Sequence, residues 1–357
     1  MTDFPPPRDE PASDAGHESS VRGDDLLPPV EPPSAGFILQ LFVVPALIVM
    51  LVVAVWGAFG WLVHRTTMEP KELISGLQGS SVARWQRASE LADLLRNEQY
   101  AGLKDDAESA AQLATILDRE IDAAADDAKG MQQEAVMLRY FLCRALGEFH
   151  VEEGLDVLAK AAVTGRDPHE QVVRRGAVEA IAVRAFNLTL ADRPRSLAGS
   201  EVESTLLGLA SDADEQVRSA AAYALGQIDT PACTARLEEM VDDPHADTRY
   251  NAALALAGRG NVRAVATLAE MLDPDELAGV QQEVDAPAQF SKRALVMTGA
   301  LEAAEKLARR IPDADLSPIA AALARLTAAD AVELERARIH PPIARRARET
   351  LDLLEER

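Results

Sequence analysis

Apolar residues along most of this chain recur three and four positions apart, which is the spacing of one face of an α-helix. The clearest stretch is 212–229, DADEQVRSAAAYALGQID, and its pattern returns at 243–258 as DPHADTRYNAALALAG. Arg218 and Arg249 occupy the same place in these stretches and stand 31 residues apart. A period of this size predicts a solenoid of stacked helical repeats.

The same pattern returns less closely in stretches that begin near residues 81, 131, 171, 290 and 343, with amphipathic segments between them. Each repeat is therefore predicted to be two antiparallel helices joined by a short turn, with Asp or Ser at the N-cap. The spacing is uneven, because insertions interrupt it at 187–200 and 273–288. Insertions between repeats project from one edge of a solenoid, either as binding segments or as solvated loops.

A long apolar segment precedes the repeats. Residues 37–63 contain no ionisable side chain, and the 23 residues from Leu41 to Val63 would form a helix of about 35 Å. This length spans a hydrocarbon core of about 30 Å. A cleaved signal peptide is the competing interpretation, but it would have basic residues near its start and a shorter apolar core. We predict a single transmembrane helix over 37–65, with interfacial anchors at Phe37, Trp56, Trp61 and Arg65.

The first 36 residues are rich in proline and carry eight acidic residues against two basic ones. Such a composition predicts a disordered tail. Basic residues are more frequent after the apolar segment than before it, so the positive-inside rule places residues 66–357 in the cytoplasm. The opposite orientation, with this domain outside the membrane, remains the alternative.

The charge balance limits the partners. The formal net charge is −22, which argues against a nucleic-acid backbone as the main partner, and aromatic residues make up only 4% of the chain. The two cysteines, Cys143 and Cys233, each lie in an apolar helical stripe and are predicted to be buried thiols. Their small number favours a reducing compartment.

No arrangement typical of an active site is found in the sequence. The histidines include no pair at the i, i+4 spacing of a zinc site, and neither a phosphate-binding glycine loop nor a G-x-S-x-G elbow occurs. Paired acids at 105–106, 126–127 and 242–243 are predicted to cap helices. An arginine cluster between 336 and 348 is either a site for anionic lipid or an acidic partner, or a mixed solvated face. We therefore predict no catalytic residue, no metal ligand and no cofactor.

Residues 214–226 fit the pattern D-x-x-V-R-x-x-A-A-x-A-L-G, which resembles the HEAT repeat in the short form also found in phycobilisome-lyase proteins. The resemblance implies an all-α, HEAT-type α-solenoid of roughly six or seven helical-hairpin repeats over 66–357. It also implies structural roles in repeat stacking for Asp214, Arg218 and Arg249, with Gly226 and Gly258 closing two of the repeats.

These observations predict a membrane-anchored scaffold or assembly factor that binds protein partners and not nucleic acid. The partners would dock on a concave face lined by the second helix of each repeat, and the anchor would raise their local concentration. The alternative, which rests on the resemblance alone, is a lyase-like enzyme or an accessory subunit that acts on a bound chromophore or a partner protein.

Overall fold

A computed structural model describes residues 34–66, 70–79, 83–126, 133–164, 170–190, 197–276 and 278–356. The chain forms two compact units, Met1–Thr67 and Met68–Arg357. The predicted tail lies outside the described residues except for residues 34–36. The predicted boundaries at residues 36 and 65 stay a prediction.

The described residues of the first unit form one helix, α1 (Ala35–Thr66). Within it, Leu39–Phe59 is long and apolar enough to cross a membrane, and none of this segment is buried. Trp56 is 82% exposed, whereas the side chains of Phe37, Trp61 and Arg65 lie outside the described ones. A helical segment that is apolar on all sides has the composition that a lipid environment requires.

The second unit is built from helices wherever it is described. They are α2 (Pro70–Gly76), α3 (Arg84–Leu95), α4 (Ala101–Lys104), α5 (Ala107–Asp126), α6 (Gln133–Gly147), α7 (Leu155–Val163), α8 (Gln171–Leu190), α9 (Glu201–Leu209), α10 (Glu215–Gly226), α11 (Pro231–Met240), α12 (Ala246–Gly258), α13 (Val265–Leu272), α14 (Ala286–Arg310), α15 (Ser317–Ala328), α16 (Ala331–Arg336) and α17 (Pro341–Glu355). Short 3₁₀ turns lie at Glu98–Tyr100 and Val262–Ala264.

These helices form two parallel rows. We define row A as α2, α5, α7, α9, α11, α13 and α15, and row B as α3, α6, α8, α10, α12, α14 and α17. Each row A helix packs against the row B helix of the same repeat, so the described residues form seven stacked hairpins. The predicted all-α solenoid of six or seven helical-hairpin repeats is confirmed.

The two rows differ in how closely their helices approach each other. From α3 to α12, successive row B helices contact each other extensively, whereas successive row A helices meet at only a few residues. An array curves towards the row that is more closely packed. Row B therefore lines the concave side over this part of the array, and row A lines the convex side.

The core between the rows is continuous and consists mainly of alanine and leucine. Alanines let neighbouring helices approach closely, and leucines fill the space between them. At Gly147, the last residue of α6, an added Cβ would lie 2.9 Å from the Cα of Ala180 in α8. This glycine is therefore required by the close approach of two row B helices.

Polar residues fix several helix starts. The side chains of Ser200, Asp214 and Thr230 accept hydrogen bonds from backbone N–H groups in the first turns of α9, α10 and α11. A cap of this kind contributes about 1 kcal/mol. Ser200 and Asp214 agree with the predicted Asp and Ser caps, whereas the cap of α11 is a threonine.

The prediction for the paired acids holds only in part. Asp106 accepts hydrogen bonds from the N–H groups of Glu108 and Ser109 at the start of α5. Asp126 instead ends α5, where the helix dipole does not favour a carboxylate, so the capping prediction is wrong there. Asp243 accepts a hydrogen bond from the N–H group of His245 just before α12, and its carboxylate also binds Arg218 of the preceding repeat.

The second predicted insertion is packed against the array. Val280 is almost fully buried, and Arg293 of α14 donates to the backbone carbonyls of Asp273 and Glu276. Arg325 of α15 binds the Asp273 carboxylate at 2.8 Å. The described part of 273–285 is therefore a fixed segment and not a free loop. In the first predicted insertion, α8 continues to Leu190, so residues 187–190 are helical.

Candidate functional site

Arginines near the start of row B helices connect each repeat to the next one. Each of these arginines binds an acid that belongs to the following repeat, and both partners are buried or partly buried. The pairs are Arg139 with Glu170, Arg174 with Asp212, Arg218 with Asp243, and Arg249 with Glu270. They form a ladder of ion pairs along five successive repeats.

The central rungs of this ladder share their acids. Arg218 donates from Nε and Nη2 to the two carboxylate oxygens of Asp243, at 2.8 and 3.0 Å. Its Nη1 donates to the backbone carbonyl of Asp212, at 2.9 Å, while Arg174 binds the side chain of Asp212. Hydrogen bonding to Asp243 raises the pKa of Arg218 above its ordinary value, so this rung stays charged.

The structure places Asp214 and Arg218 in different roles. Asp214 caps α10 through the N–H groups of Gln216 and Val217, and it is not the carboxylate partner of Arg218. An added Cβ at Gly226 would lie 2.9 Å from the Cβ of Ala255, so this glycine lets α10 and α12 approach. A Cβ added at Gly258 would meet no atom within 4 Å, so packing does not require a glycine there.

Two further arginines were not found by the sequence reasoning. Arg184 is fully buried and donates to the carbonyls of Leu146 and Val151. Arg259 donates in the same way to the carbonyls of Leu225 and Ile228. Cations at the C-terminal end of a helix interact favourably with its dipole and satisfy its last carbonyl groups.

The signal for these two arginines was present in the repeat spacing. Position 228 stands 44 residues after Arg184 and 31 residues before Arg259, which are the two offsets that relate Arg174, Arg218 and Arg249. The repeat between them has Ile228 instead of an arginine at the equivalent position, so the series of arginines is interrupted and hard to recognise in the sequence. Burial lowers the pKa of Arg184 to about 10, which still leaves it charged at neutral pH.

Aromatic side chains occur in the helices of one row only. None of the seven row A helices contains Phe, Trp or Tyr, whereas six of the seven row B helices do. They are Trp85, Tyr140, Phe141, Phe186, Tyr223, Tyr250 and Phe290. In a chain with 4% aromatic residues, this distribution marks the concave row as the chemically distinctive face.

Several of these rings are accessible or grouped. The rings of Trp85 and Phe141 stack with centroids 6.4 Å apart, and Tyr140 meets Phe141 edge-on at 5.1 Å. Phe186 is 42% exposed and Tyr223 is 41% exposed. Aromatic and arginine side chains are the types that concentrate at the centres of protein–protein interfaces.

A groove of about 730 Å³ lies along row B, across α10, α12 and α14. Its apolar lining includes Tyr223, Leu254, Leu295 and Val296, and Leu295 is 71% exposed. Its charged lining comprises two acids and three bases, which are Asp229, Asp247, Arg259, Lys292 and Lys306. The groove therefore combines an apolar surface with a small excess of positive charge.

Metal-binding clusters and reactive thiols are the remaining candidates for a chemical site. Within the described ranges, no cluster of three or more His, Cys, Asp or Glu side chains could hold a metal ion. Cys143 and Cys233 are buried, and burial raises the pKa of Cys143 to about 12 and that of Cys233 to about 11. Both thiols are protonated at neutral pH, and a protonated thiol is a poor nucleophile.

The arginine cluster near the C-terminus is largely paired. Arg346 binds Glu302 and Glu305 of α14 at 3.4 and 3.7 Å, and Arg348 donates to the carbonyl of Thr327. Arg336 lies 3.9 Å from Asp275. Of the two sequence-based interpretations of this cluster, these contacts fit the mixed solvated face.

Comparison with known families identifies the repeat. Residues 202–286, from α9 to the start of α14, match the family model described as HEAT repeats. The chain therefore contains HEAT repeats. The match comprises the repeats whose arginines, Arg218 and Arg249, first indicated the period. The more specific likeness to phycobilisome-lyase proteins stays a prediction.

Two solved structures show a low similarity to this chain. The Escherichia coli protein YibA is 17% identical, with 84% of this chain and 97% of YibA covered and a TM-score of 0.34. A designed armadillo repeat protein in complex with a (KR)4 peptide is 14% identical, with coverages of 80% and 100% and a TM-score of 0.33. Scores below 0.5 do not support a functional comparison. No curated protein matches the chain in sequence.

Proposed function

We propose that this protein is a scaffold that binds protein partners on the concave face of its HEAT repeats and is held at a membrane by α1. The observation that carries the proposal is the restriction of helical aromatic residues to row B. Trp85, Phe141 and Tyr250 pack in or against the core, whereas Phe186 and Tyr223 remain exposed on row B. These exposed aromatic side chains are best explained by recognition.

The arrangement of the repeats supports the same function. HEAT-type arrays present long, continuous surfaces on which several partner segments can bind at once. The ion-pair ladder and the buried arginines hold successive row B helices in a fixed order, so the exposed rings of Phe186 and Tyr223 keep a defined separation. A preorganised surface loses less entropy on binding than a flexible one.

The membrane part of the proposal rests on α1. Its apolar segment is long enough to span a bilayer, and no described side chain in Leu39–Phe59 is buried. We further propose that the repeats face the cytoplasm, because basic residues follow the segment. Fusing reporters after Arg357 that are active only inside or only outside the cell tests this orientation. Activity of the outside reporter alone would overturn it.

Binding is tested with variants matched in chemistry. Phe186→Ser combined with Tyr223→Ser removes two exposed aromatic side chains from row B. The control combines Val163→Ser in row A with Val262→Ser in the turn before α13, since both valines are more than half exposed. The full-length proteins are purified from solubilised membranes and their co-purifying proteins compared. We expect proteins that the control retains and the row B variant loses. Retention of the same proteins by both variants would contradict the proposal.

A further inference from the structure

We infer that the groove across α10, α12 and α14 receives a partner segment that presents large apolar side chains together with one carboxylate. The inference rests on the proposed function and specifies the chemistry of the partner at one place along row B. Its grounds are the shape of the groove floor, its apolar walls, and the one cation in it that the protein itself does not neutralise.

Small residues make the groove. Gly226, Ala255 and Gly299 lie where the three helices approach one another, and Gly258 ends α12 in the same region. An added Cβ at Gly258 would meet no other atom within 4 Å, so space is left there that packing does not use. Volumes of several hundred Å³ are typical of sites that enclose ligand side chains.

The walls of the groove are apolar and accessible. Leu295 of α14 is 71% exposed and Tyr223 of α10 is 41% exposed, and both line the groove. Leu254 of α12 also lines it, and the lining Val296 of α14 is buried. Covering a large exposed apolar side chain contributes about 25 cal/mol per Å² removed from water, so apolar side chains of a partner would bind here favourably.

The charges in the groove are compensated with one exception. Asp247 pairs with Lys292 at 2.8 Å. Arg259 binds backbone carbonyls, and the charge of Asp229 acts on it favourably. Lys306 is exposed on α14, and among the described residues no carboxylate lies within 4.0 Å of its ammonium group.

The acids that could have neutralised Lys306 are engaged elsewhere. Glu302 and Glu305 stand four residues and one residue before it on α14, and both bind Arg346 of α17. Glu305 also binds Arg309. A carboxylate supplied by a partner would therefore find an available cation at Lys306, next to the apolar walls.

The charge of the whole chain limits how acidic that partner segment can be. A protein with a net charge of −22 repels a run of acidic residues as it approaches. A single carboxylate among apolar residues avoids most of this repulsion and still meets Lys306. A basic segment would bring its charge against Lys306 and Arg259, which is unfavourable at this site.

The test uses random peptides of about twelve residues displayed on phage and selected on the full-length protein in detergent micelles. Selected peptides are then measured against four variants. Gly258→Leu fills the groove and Lys306→Glu reverses its free charge. Gly208→Leu on row A and Arg345→Glu on α17 are the controls, because an added Cβ at Gly208 also meets nothing within 4 Å and Arg345 is exposed. Thermal unfolding of every variant verifies its fold.

We expect enriched peptides that combine large apolar residues with one Asp or Glu. Gly258→Leu and Lys306→Glu should each lower the affinity for these peptides about tenfold or more. The control variants should bind them within about twofold of the unaltered protein. Peptides selected on Lys306→Glu should carry Lys or Arg in place of the acid. Enrichment of basic peptides on the unaltered protein, no enrichment, or equal binding by Gly258→Leu would overturn the inference. If cellular partners still require Phe186 and Tyr223 in that case, the proposed function stands and only the assignment of this groove fails.

Discussion

The guanidinium group of Arg218 binds the carboxylate of Asp243 through two hydrogen bonds, while the backbone carbonyl of the same Asp243 accepts a hydrogen bond from Arg249 at 2.9 Å. One acidic residue thus holds the arginines of two successive repeats. Because contacts in a solenoid are limited to neighbouring repeats, a link of this kind acts directly on the interface energy between them. The ladder fixes the row B helices on which the proposed binding surface lies.

Removing one partner of this rung should destabilise the array. Arg218→Ala leaves the Asp243 carboxylate, which is about 10% exposed, without its bidentate partner. We expect the free energy of unfolding to fall by about 2–4 kcal/mol, since leaving a partly buried charge without its partner costs more than the ion pair contributes. The measurement is urea unfolding of the full-length protein in detergent, followed by far-ultraviolet circular dichroism.

The control for this change is Arg309→Ala on α14. Arg309 is largely exposed and pairs with Glu305 on the same helix at 3.3 Å. A surface pair of this type contributes less than about 1 kcal/mol. Equal effects of the two substitutions would show that the ladder carries no special stability.

Two glycines should respond to alanine with opposite sign. At Gly147 a Cβ would lie 2.9 Å from the Cα of Ala180, so Gly147→Ala should force α6 and α8 apart and destabilise by about 1–3 kcal/mol. At Gly208 a Cβ meets nothing within 4 Å, so Gly208→Ala should stabilise by about 0.5–1 kcal/mol through helix propensity. Urea midpoints of the two variants measure the difference. A stabilising Gly147→Ala would contradict the close approach of these row B helices.

Lowering the pH should destabilise the fold at Glu203 of row A. Burial by itself would raise the pKa of this carboxyl, but hydrogen bonds from Thr230, Gly199 and Cys233 together lower it below its ordinary value. A lowered folded-state pKa stabilises the fold above the unfolded-state pKa of about 4.5, and this contribution is lost as pH falls through the folded-state pKa. Glu203→Gln should therefore reduce the loss of stability between about pH 7 and about pH 3.5.

Glu201→Gln is the matched control for the acid experiment, because Glu201 lies on the same helix and is exposed. It removes the same formal charge and should leave the pH dependence nearly unchanged. If the two variants show the same pH dependence of the unfolding midpoint, the hydrogen bonds to Glu203 do not contribute as described.

The cysteines should be inert in the folded protein. Both thiols are buried and their pKa values are raised, so the reactive thiolate is scarce and inaccessible. A thiol reagent at about pH 8 should label neither Cys143 nor Cys233 before unfolding and both afterwards. Mass spectrometry counts the labels. Rapid labelling of the folded chain would contradict the burial of these side chains.

Much of the fold could be predicted from Arg218 and Arg249, because a repeat period is a local property of the sequence and needs no long-range information. The partner of Arg218 was less accessible, since Asp243 and Asp214 are both near a repeat motif and only the stacking geometry selects Asp243. Arg184 and Arg259 were missed because Ile228 interrupts their series. The sequence reasoning placed partners on a concave face lined by the second helices, but it did not identify the aromatic residues there, because their distribution between rows becomes visible only when the helices are assigned to rows.

The central claim is that partners bind the concave row, and site-specific photo-crosslinking in cells tests it most directly. A photoreactive amino acid is placed in turn at Phe186 and Tyr223 in row B, at Val163 in row A, and at Val262 in the turn before α13. We predict crosslinks to discrete partner proteins from the two row B positions and none of these products from the two valine positions. The same products from Val163 and Val262, with none from Phe186 and Tyr223, would contradict the account.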